Sequence, residues 1–114
     1  PFETMLQNNV IGTWNVYEAA FRQGVRRVVF GSSNHVVGFY KRGIRLDTTV
    51  PHRPDSRYGL TKCWGEDVGS LYADKYGVKS LHIRIGNAMG VPQSLRTMAI
   101  WISERDLAQL VMIG

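Results

Sequence analysis

Two short runs limit what this chain can fold into. Residues 25–30 (VRRVVF) and 80–85 (SLHIRI) are rich in β-branched, aromatic and apolar side chains, and each follows a segment with helical spacing. Over residues 5–23 the apolar positions are Met5, Leu6, Val10, Ile11, Trp14, Val16, Tyr17, Ala20 and Phe21, a helical stripe rather than a strand alternation. Gly24 closes that helix, and Gly31 is expected to end the strand that follows. Residues 32–55, with Pro51 and Pro54, read as a long loop. Residues 56–76 read as a second helix stopped by Gly77. After the second strand a loop runs through Gly90, Pro92 and Arg96. Ser103-Glu104-Arg105-Asp106 then has the form of a capping box and predicts a helix over 104–113. Helices alternating with strands in this order imply an α/β fold with a parallel sheet and right-handed crossovers. Two neighbouring parallel strands cannot cover both of their own faces, so the chain reads as one incomplete domain, 1–114, of a larger sheet.

Composition excludes more than it selects. The net charge is +5, but the lysines and arginines are scattered and form no basic stripe interleaved with aromatics, which argues against nucleic acid as a partner. The lone Cys63 cannot form an internal disulfide, and no apolar run is long enough to span a bilayer. The expectation is a cytoplasmic protein with no membrane partner. His52 and His82 lack the spacing of metal ligands, so no metal is expected. Trp14, Trp64 and Trp101 are expected in the core, and Arg84, inside a strand, as a paired structural charge.

The stretch Ser32-Ser-Asn-His35 places four polar side chains directly after an apolar strand. A turn would explain them, since Ser and Asn are common turn formers. The carboxyl end of a parallel strand is also where open α/β sheets bind ligands. The second helix adds Tyr58-Gly-Leu-Thr-Lys62, which puts a phenol and an ammonium one turn apart on one face. A free phenol titrates near pH 10, so a tyrosine base at neutral pH needs a shift of roughly 3 units, about 4 kcal/mol. An ammonium ~4–6 Å away at an effective dielectric of about 20 supplies about 3–4 kcal/mol. Such a pair also arises by chance on helix surfaces. The nearby Ser33 hydroxyl, able to hold a substrate oxygen while the phenolate takes its proton, favours the catalytic reading.

These motifs together resemble the extended short-chain dehydrogenases/reductases, the NAD-dependent epimerase/dehydratase group. NNVIGTWNVYEAA, RRVVFGSSNHVVG, YGLTKCWGE and LHIRIGNAMG match the family's fourth helix, its strand with the catalytic serine, its Tyr–Lys helix, and the strand and loop beside the nicotinamide. The resemblance implies a Rossmann-like doubly wound parallel sheet, present here without its first βαβ half and without its C-terminal end. It implies NAD as cofactor, Ser33, Tyr58 and Lys62 as catalytic residues, and Asn9, Tyr58, Lys62 and Ile85 against the cofactor. Most epimerases carry a tyrosine where Val37 stands, and the run SSNHVVGFY is closer to the uronate dehydrogenase branch. That branch implies a sugar acid held by Ser33, Asn34, His35, Asn87 and Arg96, with Arg96 on the carboxylate, and oxidation at C1 to an aldarolactone. Asn87 departs from the serine expected at its position. The resemblance further implies a homodimer through helices 5–23 and 56–76, using Met5, Trp14, Trp64 and Leu71. A nucleotide-sugar epimerase or dehydratase is the alternative within the family, and an NAD-sensing or dimerisation module is the alternative outside enzymes.

Overall fold

The structure, a computed structural model, describes residues 1–88 and 90–114. A helical arm opens the chain: α1 (Phe2–Met5), a π-helical segment (Leu6–Ile11) and α2 (Gly12–Arg22) follow one another without a break. Strand β1 (Arg27–Ser33) leads into a 3-10 turn (Asn34–Val37), and α3 (Arg57–Tyr76) leads into β2 (Lys79–Ile85). A short α4 (Leu95–Ala99) and α5 (Glu104–Ile113) complete the order. The two strands pair in parallel from Arg27 opposite Lys79 to Ser33 opposite Ile85. The crossover α3 packs on both strands. The α/β reading with parallel strands therefore holds.

Several boundaries differ from expectation. Gly31 does not end β1: the ladder with β2 continues through Ser32 and Ser33, whose side chains are buried. The strand starts at Arg27 rather than Val25, because the Val25 N–H still returns to the Ala20 carbonyl at the end of α2. The helical arm begins earlier than residue 5, and its π segment was not foreseen. α4 lies inside the stretch expected to be a loop, held by a reciprocal Ser94–Thr97 cap. Gly77 does end α3, in the left-handed conformation that favours glycine. Ser103 caps α5 by accepting the Asp106 N–H at 3.0 Å.

The core lies between α2, α3 and the sheet. Tyr17, Val68, Tyr72 and Val78 form its buried cluster, with Val28 packed against it. The two buried tyrosines keep their hydroxyls paired: Tyr17 with Ser80 Oγ at 2.6 Å, and Tyr72 donating to Glu18 at 2.6 Å. The three tryptophans are not core residues. Trp14 is 39% exposed and Trp64 and Trp101 are 40% exposed, which corrects the expectation for them.

α3 comes close to the sheet because small residues face it. A Cβ at Gly65 would stand 2.1 Å from the Phe30 ring. On the same helix Glu66, only 4% exposed, is a hub. It accepts from Ser32 Oγ of β1 at 2.5 Å and from Arg84 of β2 at 2.9 and 2.7 Å, and it pairs with His52 Nε2 of the connecting loop at 2.8 Å. Arg84 is thus the paired structural charge expected of it. Burial pushes the Glu66 carboxyl up, but the hydrogen bonds from Arg84, Ser32 and His52 outweigh it and hold the group at about 2.

Two predictions follow from this packing, both read on the whole protein. Gly65→Ala should destabilise the fold by about 1–3 kcal/mol, seen as a lowered Tm, because the Phe30 ring must move. Glu66 has its folded pKa depressed from 4.5 to about 2, so its contribution is present above pH 4.5 and is lost as pH falls toward 2. Glu66→Gln should cost about 3 kcal/mol at neutral pH in denaturant titrations, and the gap to wild type should close as pH falls through that window.

Candidate active site

The carboxyl ends of the two strands bring together several of the side chains singled out in the sequence, Ser33, His35, Tyr58, Lys62 and Ile85 among them. The register places Ser33 directly opposite Ile85. After Ser33 the chain turns sharply: Ser33 Oγ accepts the His35 N–H at 3.2 Å, which caps the 3-10 turn carrying Asn34 and His35. Ser33 is itself only 5% exposed, and its hydroxyl lies 3.4 Å from Asn34 Oδ1.

α3 starts against this turn. Ser56 caps the helix by accepting the Gly59 N–H at 3.0 Å. A Cβ at Gly59 would come within 2.5 Å of the His35 carbonyl oxygen, so the glycine after Tyr58 lets the first turn of α3 press on the SSNH turn. Tyr58 is 40% exposed, and its ring stands edge-on to the His35 ring with centroids 6.0 Å apart. One turn on, Lys62 Nζ donates to the Gly31 carbonyl at 2.8 Å. The ammonium lies 5.6 Å from the centre of the Tyr58 ring and 5.0 Å from that of Phe30. Burial pulls the Lys62 pKa below its usual value. Extension of β1 beyond Phe30 is what supplies the Gly31 carbonyl as the anchor for this lysine.

Asn9 reaches the same helix from the π segment. Its side-chain amide donates to Thr61 Oγ1 at 3.0 Å, and Thr61 donates to the Tyr58 carbonyl at 2.8 Å. Asn8 and Asn9 both lie inside the π segment. The π turn aims Asn9 at α3, a use of π geometry common beside functional sites. Asn87 follows β2, and its backbone bridges to the segment after α4: the Asn87 N–H donates to Ile100 O at 2.8 Å, and the Ile102 N–H donates to Asn87 O at 2.9 Å. This bridge ties α4, which carries Arg96, to the carboxyl end of β2. Arg96 is exposed, and among the described residues no hydrogen bond joins it to Ser33, Tyr58 or Lys62.

Other groups were not singled out in the sequence. Glu66 continues the Tyr58–Lys62 spacing by another turn, and a carboxylate among Cys63, Gly65, Val68 and Gly69 signals burial that demands partners. Asp55 pairs with His35 Nδ1 at 2.8 Å, and nothing in its local sequence announced that. A cavity of about 880 Å³ is walled by His52, Glu66, His82, Arg84 and Leu110, and none of Ser33, Tyr58 and Lys62 lines it. The polar walls Glu66, Arg84 and His52 are bound to one another. Among the described residues no group of three or more His, Cys, Asp or Glu could hold a metal ion, and no helix is long and apolar enough to cross a membrane.

Residues 2–110 match the NAD dependent epimerase/dehydratase family. The uronate dehydrogenase of Pseudomonas putida is 50% identical over 113 residues, which are 99% of this chain and 42% of that protein. The structure of a glucuronic acid dehydrogenase from Chromohalobacter salexigens superposes with a TM-score of 0.94 at 50% identity, over 97% of this chain and 42% of that one. A tyrosine-to-alanine mutant of the Agrobacterium tumefaciens uronate dehydrogenase, complexed with NAD, gives a TM-score of 0.94 at 43% identity, over 98% and 42%. The chain thus spans about 42% of the length of these relatives. With the strand-end serine, the Tyr58–Lys62 face and this match over nearly its whole length, the chain belongs to the NAD dependent epimerase/dehydratase family.

Proposed function

We propose that the whole protein is an NAD-dependent dehydrogenase that oxidises a free hexuronic acid at C1 to an aldarolactone. The observation that carries this reading is the meeting of the Ser33-Asn34-His35 turn with the Tyr58–Lys62 face at one strand end. The uronate dehydrogenases similar to this chain support the substrate class.

The donor set of this chain suits the nicotinamide end of NAD. Lys62 offers ammonium N–H groups to ribose hydroxyls, Tyr58 is exposed beside it, Asn9 holds the helix from behind, and Ile85 gives an apolar wall for a ring. The chemistry the cofactor supplies when bound is acceptance of a hydride. The protein's residues do the rest. Arg96 fixes the substrate carboxylate, a pairing for which a guanidinium fork is well shaped. Asn34, His35 and Asn87 hold hydroxyls. Ser33 hydrogen-bonds the C1 oxygen, and Tyr58 as phenolate takes the C1 hydroxyl proton as the C–H bond breaks and the carbonyl forms. The Lys62 ammonium stands 5.6 Å from the centre of the Tyr58 ring, one helical turn on.

A nucleotide-sugar epimerase would use the same three side chains together with a nucleotide site, and a non-catalytic NAD-sensing module would need none of them in register. The polar SSNH wall beside Tyr58 favours the small sugar acid. Pairing of two copies through the helical arm and α3 belongs to the same proposal, supported by the exposure of Trp14, Trp64 and Leu71 on those helices.

The test is NADH formation by the whole protein with galacturonate and glucuronate, beside UDP-glucose and UDP-galactose. Reduction of NAD is expected with the free uronates only. Conversion of the UDP-sugars without turnover of uronates would overturn the proposal. Tyr58→Phe should lower kcat by roughly 10²–10⁴. Arg96→Met should raise KM for uronates at least about 30-fold, while leaving a neutral aldose untouched.

A further inference from the structure

His35 is tied down on one edge of its ring and open on the other. Its Nδ1 lies 2.8 Å from Asp55 Oδ1. The backbones of the two residues pair as well, the Asp55 N–H donating to the His35 carbonyl at 3.3 Å. The Asp55 carboxylate has no slack on its own far side, since a Cβ at Gly38 would come within 2.0 Å of Oδ2. That explains a glycine just after the 3-10 turn. The His35 side chain is nevertheless 41% exposed, against 28% for Asp55, and Nε2 has no hydrogen-bond partner among the described residues. The ring also stands against Tyr58.

The partner fixes the proton. An ionised carboxylate only accepts hydrogen bonds, so in a neutral imidazole facing it Nδ1 carries the hydrogen and Nε2 keeps its lone pair. Burial pushes the Asp55 carboxyl up, but hydrogen bonds from His35 and Ser56 outweigh it and leave the group below its ordinary value, hence ionised at neutral pH.

We infer that Asp55 is a positioning residue that locks His35 as the Nδ1–H tautomer and presents Nε2 as an acceptor to a hydroxyl of the sugar acid beside Tyr58. This rests on the uronate reading above and adds to it a residue and a direction: His35 receives a hydrogen bond and does not donate one. The hydroxyl it meets must therefore be a donor, and a fluorine or hydrogen at that carbon loses the contact.

Two measurements on the whole protein test this. Two-bond ¹H–¹⁵N correlation spectra of ¹⁵N-histidine-labelled protein need no substrate, with the His35 signals assigned by their loss in His35→Ala. The Nδ1–H pattern is expected in wild type, and Asp55→Ala should lose that preference. In steady-state kinetics, Asp55→Ala and Asp55→Asn should each raise the uronate KM roughly tenfold, with the NAD KM unchanged. In the His35→Ala background the Asp55 substitutions should add less than about twofold, because the two residues act as one unit. An Nε2–H tautomer in wild type would overturn the inference. So would Asp55 losses of equal size with and without His35, which is the signature of a merely structural role. An unchanged uronate KM in His35→Ala would instead overturn the substrate role on which the inference rests, and the spectra separate the two failures.

Discussion

The Glu66 carboxylate fixes the orientation of everything around the site. A carboxylate at 4% exposure is costly unless several donors surround it, and its donors here come from β1, β2 and the loop before α3. The four pieces therefore assemble together. Glu66 also sets the rotation of α3 about its axis. With this residue turned toward the strands, Lys62 one turn earlier falls beneath the Gly31 carbonyl, and Tyr58 another turn earlier arrives at the SSNH turn. A structural ion pair that touches no substrate thus aims the residues proposed to act on one.

Close approach is the second requirement. The helix can reach the strand end because Gly65 admits the Phe30 ring and Gly59 admits the His35 carbonyl. Side chains at either position would lift α3 from the sheet and separate Tyr58 from the turn that carries Ser33. Packing and the proposed chemistry are linked there through backbone distance, so a methyl group at Gly65 would shift the residues proposed to act on substrate.

Much of this was legible in the sequence because it is local. Helical spacing, Gly77 as a stop, the Ser103 cap and the four-residue step from Tyr58 to Lys62 are short-range patterns, and each appears where expected. The misreadings concern what only tertiary contact decides. Gly31 looks like a strand breaker until β2 pairs with it and with both serines. An apolar stripe says that a helix face is apolar but not what covers it, so Trp14 and Trp64 read as core residues and yet stand exposed. The π turn at Asn9 depends on Thr61, far along the chain. Asp55 has no distinguishing neighbours in sequence, and its pairing emerges only when the loop folds back on the 3-10 turn. Ser33, Tyr58, Lys62, His35 and Ile85 do gather at one strand end, whereas Arg96 is brought to the same end of β2 only through the Asn87 bridge.

In the proposed reaction the C1–H bond of a free sugar acid breaks at this strand end. The most direct measurement uses galacturonate carrying deuterium at C1, with the whole protein and NAD, and reads by NMR where the label goes. One deuterium is expected on the nicotinamide ring of the reduced cofactor, none in the water, and a loss of that transfer in Tyr58→Phe. Reduced cofactor without deuterium, or label retained in an unoxidised sugar acid while UDP-sugars are converted, would contradict it.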